Sequence, residues 1–525
     1  MAHIYNPATG EVVCEQKRDD PSSLPGLVRR AADAQERWKM VPISRRRKVL
    51  DSLSRILSED AEELAAMISR LTGKTEVDAL VTEVLPSVIS ASYYGRSAAA
   101  ALAPRPLKGS SILFFNKRSR LFREPLGVVG IISPWNYPFS IPFQEVATAL
   151  MAGNGVVLKV ASQCQPLGEM MKRYFTEAGL DPDLLQLTHV PGSRAGSGLI
   201  HSGIRKLFFT GSVDVGKKLA QEAGSILLPV SLELGGNDAM IVCSDANIHR
   251  AVNGAMWAGL SNCGQSCGGV ERIYVHTDIY EEFRELLSRK ISRLRHRTAG
   301  TENGSTDWDM GSLTTESQRK SVAVHIDDAV SKGARFVTSS LEGYGTEGFH
   351  ALPGFGHPAV VLEDVDMSMK VQLDETFGPV LTLTAFSRDS EAVEHANNSY
   401  LGLTASVWTR SKSRSMYFIR ELEAGAVTVN DHLMSHGMPE TPWGGYKQSA
   451  LGRSHSFLGF EEMTQPKVVV RDMLDFAPRQ MWWYPYSANL YNGLLGAIRV
   501  IKGPRRLRFL VPLFKTFLRM FRKED

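Results

Sequence analysis

The sequence predicts an α/β protein of two large domains with a smaller hairpin arm, and three observations carry that expectation. The chain has 525 residues, too many for one hydrophobic core, since single cores stop growing beyond roughly 250–300 residues. Short β-branched runs at 127–133, 155–159, 206–210 and 239–242 alternate with segments whose apolar residues recur every three or four positions. An apolar share of 43% with 22% charged residues is that of an ordinary globular protein, which sets aside disordered and fibrous classes.

The five cysteines, Cys14, Cys164, Cys243, Cys263 and Cys267, are odd in number and scattered. They suggest neither a disulfide framework nor a zinc ribbon, so a reducing, cytoplasmic compartment is expected. Met1 to Pro7 shows no basic stretch followed by an apolar run, and no secretory leader is expected. The net charge of +4 is unevenly placed: residues 471–525 hold eleven Lys and Arg against four Asp and Glu, a net of +7. The basic character therefore belongs to the tail. No internal repeat and no nucleic-acid motif is found, so nucleic acid is not an expected partner.

Taken in order, residues 22–97 read as helices interrupted at Gly73-Lys74. Residues 111–123 read as β, with Ile112 to Phe115 followed by basic Lys117, Arg118 and Arg120. The run 127–133 suits a buried strand ended by the turn Pro134-Trp135-Asn136. That places Asn136 at a strand's carboxyl end, where open α/β sheets put ligands; on its own it reads equally as a turn former. A helix over 143–151 and a strand over 155–159 follow. Lys206 to Gly216 is strand, turn and helix start, and the free N–H groups of such a start favour a pyrophosphate. Its spacing is Gly-x4-Gly between Gly211 and Gly216 rather than Gly-x-Gly-x-x-Gly, and Ser212 reads equally as a helix N-cap. A second domain begins beyond Glu233 and alternates strands and helices to about Trp443.

The chemistry is expected in Asn262-Cys263-Gly264-Gln265-Ser266-Cys267-Gly268-Gly269-Val270-Glu271-Arg272. Small flanking residues let a substrate approach the Cys267 thiol and leave backbone N–H groups for a developing oxyanion. The plainer alternative is that Cys263 and Cys267 are buried thiols that only pack. Three further segments weigh against it: Leu232-Glu233-Leu234-Gly235-Gly236-Asn237, Ser133-Pro134-Trp135-Asn136-Tyr137-Pro138 and Glu375-Thr376-Phe377-Gly378-Pro379-Val380. In this order they resemble the aldehyde dehydrogenase superfamily, from Asn6-Pro7-Ala8-Thr9-Gly10-Glu11 to about Val470.

The resemblance implies a Rossmann-like cofactor domain (1–102 and 124–235), an α/β catalytic domain (236–454) and a β-hairpin oligomerisation arm (103–123 and 455–470) that makes a homodimer or tetramer. It implies NAD(P)-dependent oxidation of an aldehyde to the carboxylic acid. Cys267 would form the thiohemiacetal and thioester, Glu233 would activate the hydrolytic water, and Asn136 with the Cys267 N–H would hold the oxyanion. Ser133, Trp135, Lys159, Ser162, Gly211, Ser212, Gly216 and Leu234 would hold the dinucleotide, with Glu375 and Phe377 at the nicotinamide ribose and ring. No metal is needed. Relatives commonly carry a glutamate three residues after the lysine, where this chain has Ser162 and no carboxylate at 160–162. A carboxylate would repel a ribose 2′-phosphate, whereas a serine can donate to it, so NADP is expected to be accepted alongside NAD.

The resemblance stops near Val470, and the tail (471–525) departs from it. No apolar run there reaches the ~20 residues that span a bilayer. From Leu507 to Lys523 a helical plot gathers Leu507, Leu510, Val511, Phe514, Phe517, Leu518 and Phe521, with Arg508, Lys515, Arg519, Arg522 and Lys523 opposite and Trp482-Trp483-Tyr484-Pro485-Tyr486 upstream. Such a basic amphipathic helix, kinked at Pro512, suits an anionic membrane surface; the alternative is docking on the body or a sister subunit. The expected substrate is an apolar or long-chain aldehyde. Succinic semialdehyde or another small polar aldehyde is the rival, and a non-catalytic membrane-associated member the third reading.

Overall fold

The β-branched runs of the first half assemble into one sheet around Val128–Ile132. The computed structural model describes residues 3–296, 307–344, 352–502 and 510–522. Val128–Ile132 pairs in parallel with Gly155–Lys159 on one side and Lys206–Thr210 on the other. Leu185–Leu187 and Val230–Glu233 extend the sheet outward in parallel, and Ala450–Leu451 adds an antiparallel edge on Val230–Glu233. All five residues of the central strand are buried, as a strand covered by helices on both faces requires. Strand order reverses between Val128–Ile132 and Lys206–Thr210, so a crevice opens at their carboxyl ends, the usual ligand position of such sheets.

A second sheet of seven strands runs Arg335–Ser339, Val360–Glu363, Val380–Phe386, Val270–His276, Asp238–Val242, Thr404–Trp408 and Ala426–Val429. It is parallel except for the antiparallel edge strand Arg335–Ser339. Its core is a cluster including Met240, Ile273, Phe283, Val322, Val361, Leu381 and Trp408. The mixed α/β class expected from the sequence is the observed one.

The chain divides into two compact units, residues 1–101 with 125–465, and 102–124 with 466–525. Both large sheets lie in the first. The second carries the three-stranded sheet of Arg105–Leu107, Lys117–Pro125 and Thr464–Asp472. The β reading of 111–123 is corrected in part: Ile112–Phe114 is a 3-10 turn, and the hairpin partner of Lys117–Pro125 is Arg105–Leu107. Asn116 and Lys117 explain the turn, since both reach Asp472, at 2.8 and 2.6 Å, which anchors the backbone there instead of a continuing ladder.

Within this second unit the tail forms two helices, Ala488–Lys502 and Leu510–Leu518, followed by a 3-10 turn, Arg519–Phe521. The first helix was not anticipated. Leu507, Arg508 and Lys523 lie outside the described residues. Arg519, expected on the outer basic flank, is buried instead: its guanidinium donates to the carbonyls of Met481 (3.1 Å), Trp483 (2.7 Å) and Pro485. Three carbonyl acceptors compensate its desolvation. Phe517 packs on Phe115 at 5.5 Å, while Val511 and Phe514 stay about 60% exposed. Among the described residues no helix is long and apolar enough to cross a membrane.

Candidate active site

Cys267 precedes strand Val270–His276 of the second sheet, and Glu233 ends strand Val230–Glu233 of the first. The loop before Cys267 is forced into an unusual path. Asn262 and Cys263 take left-handed φ values of 51° and 53°, followed by Gly264 at 69°. Non-glycine residues there cost of order 1 kcal/mol each and persist only where the surroundings fix them. They are fixed: the Asn262 N–H donates to Asp78 Oδ2 (3.0 Å), its amide to the carbonyls of Asn136 (3.0 Å) and Gln265 (3.1 Å), and the Thr314 N–H to Gln265 Oε1 (2.8 Å). Cys263 is fully buried with its thiol directed at the Gly311 carbonyl, a packing role. Cys267 remains half-buried and lines three cavities that meet at its sulfur. Burial pushes its thiol pKa up, and the carboxyls of Glu375, Asp238 and Glu233 push it further, both disfavouring the thiolate.

The first cavity, about 280 Å³, opens at the crevice of the first sheet. It brings together Trp135, Asn136, Gly211, Ser212, Glu233, Leu234, Glu375 and Phe377 beside Cys267. Ser133, Lys159, Ser162 and Gly216 are not in its lining. Lys159 ends the neighbouring strand, buried, with Ser162 opening the 3-10 turn after it. Gly216 lies in the helix Val213–Ser225, where an added Cβ would come within 2.6 Å of Leu234 Cδ2; its role here is close packing that holds Leu234 in the wall.

Ser212 sits at the N-cap position of that 13-residue helix with extended backbone, yet its side chain makes no capping hydrogen bond. The hydroxyl of Ser133, next to the Pro134-Trp135 wall, is buried without a partner among the described residues. A pyrophosphate and ribose would satisfy such donors, and the helix start favours the anion. Trp135 and Phe377 meet edge to face at 5.5 Å, giving the inner end an aromatic wall. The residues present thus fit a dinucleotide with its nicotinamide end toward Cys267.

The Gly235-Gly236 pair is required by close approach. A Cβ on Gly235 would lie 2.1 Å from Glu375 Oε2, and one on Gly236 2.5 Å from the Cys267 carbonyl. Asn136 donates its amide to the Gln265 carbonyl at 3.1 Å, while its Oδ1 is buried without a partner. One amide hydrogen therefore remains for a substrate oxygen.

Three positioning residues escaped the sequence reading. Lys74 and Glu83 form a fully buried ion pair at 2.6 Å. Lys74 Nζ also donates to the Asn136 carbonyl at 2.7 Å and lies 4.5 Å over the Tyr137 ring, while Glu83 Oε2 accepts the N–H groups of Phe139 (2.8 Å) and Ser140 (3.3 Å). Glu271 accepts from the N–H groups of Thr376 (2.8 Å) and Phe377 (2.9 Å), fixing Phe377 at a left-handed φ of 53°. Lysine after a helix-ending glycine reads as a surface residue in sequence; only the 62-residue separation bridged in space reveals it.

The second cavity, about 130 Å³, reaches Cys267 past Val81, Leu85, Ile89, Trp257, Leu433, Met434 and Trp443. It has no Lys or Arg in its described lining, and its one histidine, His436, is pushed down to about 4 by burial. The third, only about 30 Å³, holds Glu233 and Cys267 with Glu145, Thr210, Gln144, Arg453 and Glu462. Burial raises the Glu233 carboxyl well above the ordinary range, and neighbouring Glu145 raises it further.

The family profile of aldehyde dehydrogenases matches residues 1–469. The chain is 34% identical over 489 residues to the 4,4′-diapolycopene aldehyde oxidase of Methylomonas, covering 92% of this chain and 88% of that protein. It is also 34% identical over 444 residues to a protein of Mycolicibacterium smegmatis named a putative succinate-semialdehyde dehydrogenase (NADP+), covering 84% and 83%. Among solved structures it resembles an aldehyde dehydrogenase of Bacillus cereus in complex with NAD+, with a TM-score of 0.83 at 28% identity over 90% of this chain and 93% of that one. Dehydrogenases of this family use NAD or NADP. A thiol, a carboxyl and an amide gathered at the inner end of a dinucleotide-shaped crevice agree with these likenesses: the chain belongs to the aldehyde dehydrogenase family.

Proposed function

We propose that the protein oxidises an apolar, long-chain aldehyde to its carboxylic acid with NAD or NADP. The observation that carries this is the aliphatic and aromatic approach to Cys267, which offers no described Lys or Arg to a second carboxylate. A small anionic semialdehyde needs such a partner, because an unpaired carboxylate in a desolvated channel is costly. The name of the Methylomonas relative favours the apolar substrate and that of the Mycolicibacterium relative the polar one; the lining sides with the first.

In this reading Cys267 Sγ adds to the aldehyde carbon as the Glu233 carboxylate takes the thiol proton; burial raises both groups, so the base acts once it has given up its own proton. The oxyanion that forms accepts hydrogen bonds from Asn136 Nδ2 and the Cys267 N–H, each worth about 3–4 kcal/mol in a site of this kind. A nicotinamide held among Trp135, Glu375 and Phe377 would supply the hydride acceptor. Glu233 then serves as base for water attack on the Cys267 thioester, giving a free acid. Lys159 and Ser162, at the next strand's carboxyl end, would meet the adenosine ribose, and Ser162 leaves room for a 2′-phosphate.

The arm and tail are read the same way. Strand Thr464–Asp472 is a sheet edge with Val468, Val469 and Val470 exposed, which suits pairing with a second copy. Exposed Trp483, Tyr484, Tyr486, Val511 and Phe514 support insertion at an anionic lipid surface, where the apolar substrate partitions. Initial rates with a long-chain aldehyde and with succinic semialdehyde, each offered NAD and NADP, test the substrate: faster turnover of the semialdehyde overturns the apolar reading. Phe514→Asp should lower sedimentation with anionic vesicles, and unchanged sedimentation removes the lipid reading.

A further inference from the structure

The smallest of the three cavities at Cys267 differs from the other two in kind. At about 30 Å³ it has room for one or two water molecules and none for an aldehyde or a nucleotide. Its walls carry Glu145 Oε2, both oxygens of Glu233, Thr210 Oγ1, Gln144 Nε2 and His455 Nδ1, all buried and without a partner among the described residues. Buried polar atoms are ordinarily satisfied by protein or by ordered water, and six around so small a space define a water site beside the Cys267 sulfur. Glu145 comes from the helix Ser140–Ala152, directly after the Asn136 turn, and is 9% exposed. No step assigned above uses it.

We propose that Glu145 is the second carboxyl of a proton relay behind Glu233, accepting through water in this cavity the proton that Glu233 removes. The inference rests on the thioester chemistry proposed above. In the hydrolytic step the water oxygen bonds to the thioester carbon and the C–S bond breaks with its electron pair going to Cys267 Sγ. The thiol proton that Glu233 took in the addition step first passes through the cavity water to Glu145 and out past Glu462; one water proton then follows the same route, leaving the carboxylic acid, a Cys267 thiolate and a protonated Glu145. Glu233 is thereby cleared within the turnover. It must act twice, on the thiol and on the water, and a single carboxyl still holding the first proton cannot serve the second.

The surroundings suit the transfer. Burial pushes Glu145 up to about 8, so it can both take and release a proton near neutral pH. The charged and titratable groups around it are Cys267, Glu233, Arg453, Glu462, His436 and His455 in the cavity lining, with Tyr94 close by, its hydroxyl donating to Gln144 Oε1 at 3.3 Å. Both histidines are held neutral by burial. Glu462 pairs with Lys206 at the rim, a route outward to solvent.

The test is Glu145→Gln in the full-length enzyme, with Glu145→Asp beside it, followed by stopped-flow reduction of cofactor and by steady-state rates across pH. The expected Gln variant keeps a first-turnover burst near one equivalent per Cys267, loses on the order of tenfold or more in kcat, and loses the rise of kcat with pH near 8; the Asp variant recovers part of both. Wild-type kcat and pH profile in the Gln variant would overturn the relay, as would loss of the burst along with turnover, which marks a structural role. Cys267→Ser is run in parallel: if it retains turnover, the thioester reading itself fails, separately from the relay.

Discussion

Lys74→Met removes one partner of the buried pair with Glu83 and one of the two side-chain donors that hold the Asn136 carbonyl, leaving the Asn262 amide alone there. Stranding a buried carboxylate costs about 3–5 kcal/mol. Freeing the Asn136 backbone should also blunt its amide as an oxyanion donor; a misplacement near 1 Å costs about 100-fold in rate. The two effects separate in the double variant Lys74→Met/Glu83→Gln. There no charge is stranded, and the glutamine oxygen still accepts from the Phe139 N–H that Glu83 now satisfies. Urea unfolding should therefore show most of the lost stability restored, while kcat stays low because nothing replaces the Lys74 bond to Asn136. If kcat recovers together with stability, or if Lys74→Met destabilises without slowing turnover, the anchoring argument is wrong.

Glu233→Gln should leave Cys267 able to acylate slowly but depress hydrolysis by about 10²–10⁴-fold; mass spectrometry of the variant after aldehyde and cofactor should find the acyl adduct, and a free thiol with normal kcat would refute the base assignment. Gly236→Ala should cut turnover sharply because its Cβ would lie 2.5 Å from the Cys267 carbonyl, a backbone atom that cannot swing aside; steady-state rates decide it, and an unimpaired variant would mean the loop yields freely. Stability should also depend on Glu145. Its folded pKa of about 8 exceeds the ordinary 4.5, so between those values the unfolded chain ionises while the folded one holds the proton, and stability falls as pH rises. Thermal unfolding across pH 5 to 8 should show a shallower decline in Glu145→Gln than in wild type; parallel curves would refute the shift.

What the sequence disclosed and what it hid follow from separation along the chain. The strands over 128–132, 155–159 and 206–210 were legible because each is a local apolar run, whereas Asn136 and Glu233, each alone a turn or cap in sequence, stood out only through the family resemblance of their segments. Lys74, Glu83 and Glu271 were not legible, since their meaning lies in bonds to backbone groups 56 to 106 residues away. Arg519 shows the converse: a helical plot puts it on the charged flank, but three carbonyls of the Met481–Pro485 segment draw it inward. The strand expected at Ile112 to Phe115 failed for a related reason, because the Asp472 contacts of Asn116 and Lys117 override a local β preference.

The three cavities at Cys267 also constrain the order of events. On the proposed reading, the crevice of the first sheet would take the dinucleotide, the apolar channel the aldehyde, and the small space behind Glu233 only water. Because burial disfavours the thiolate, the free enzyme is expected to react slowly with adventitious electrophiles. Burial raises the Glu233 carboxyl as well, so in the proposed mechanism activation of the thiol requires the ionised form of Glu233. The rate of reaction of Cys267 with iodoacetamide should accordingly rise steeply with pH in wild type and remain slow near neutrality, whereas a fast, pH-independent alkylation near pH 7 would show a pre-formed thiolate and break this chain of reasoning at its first link.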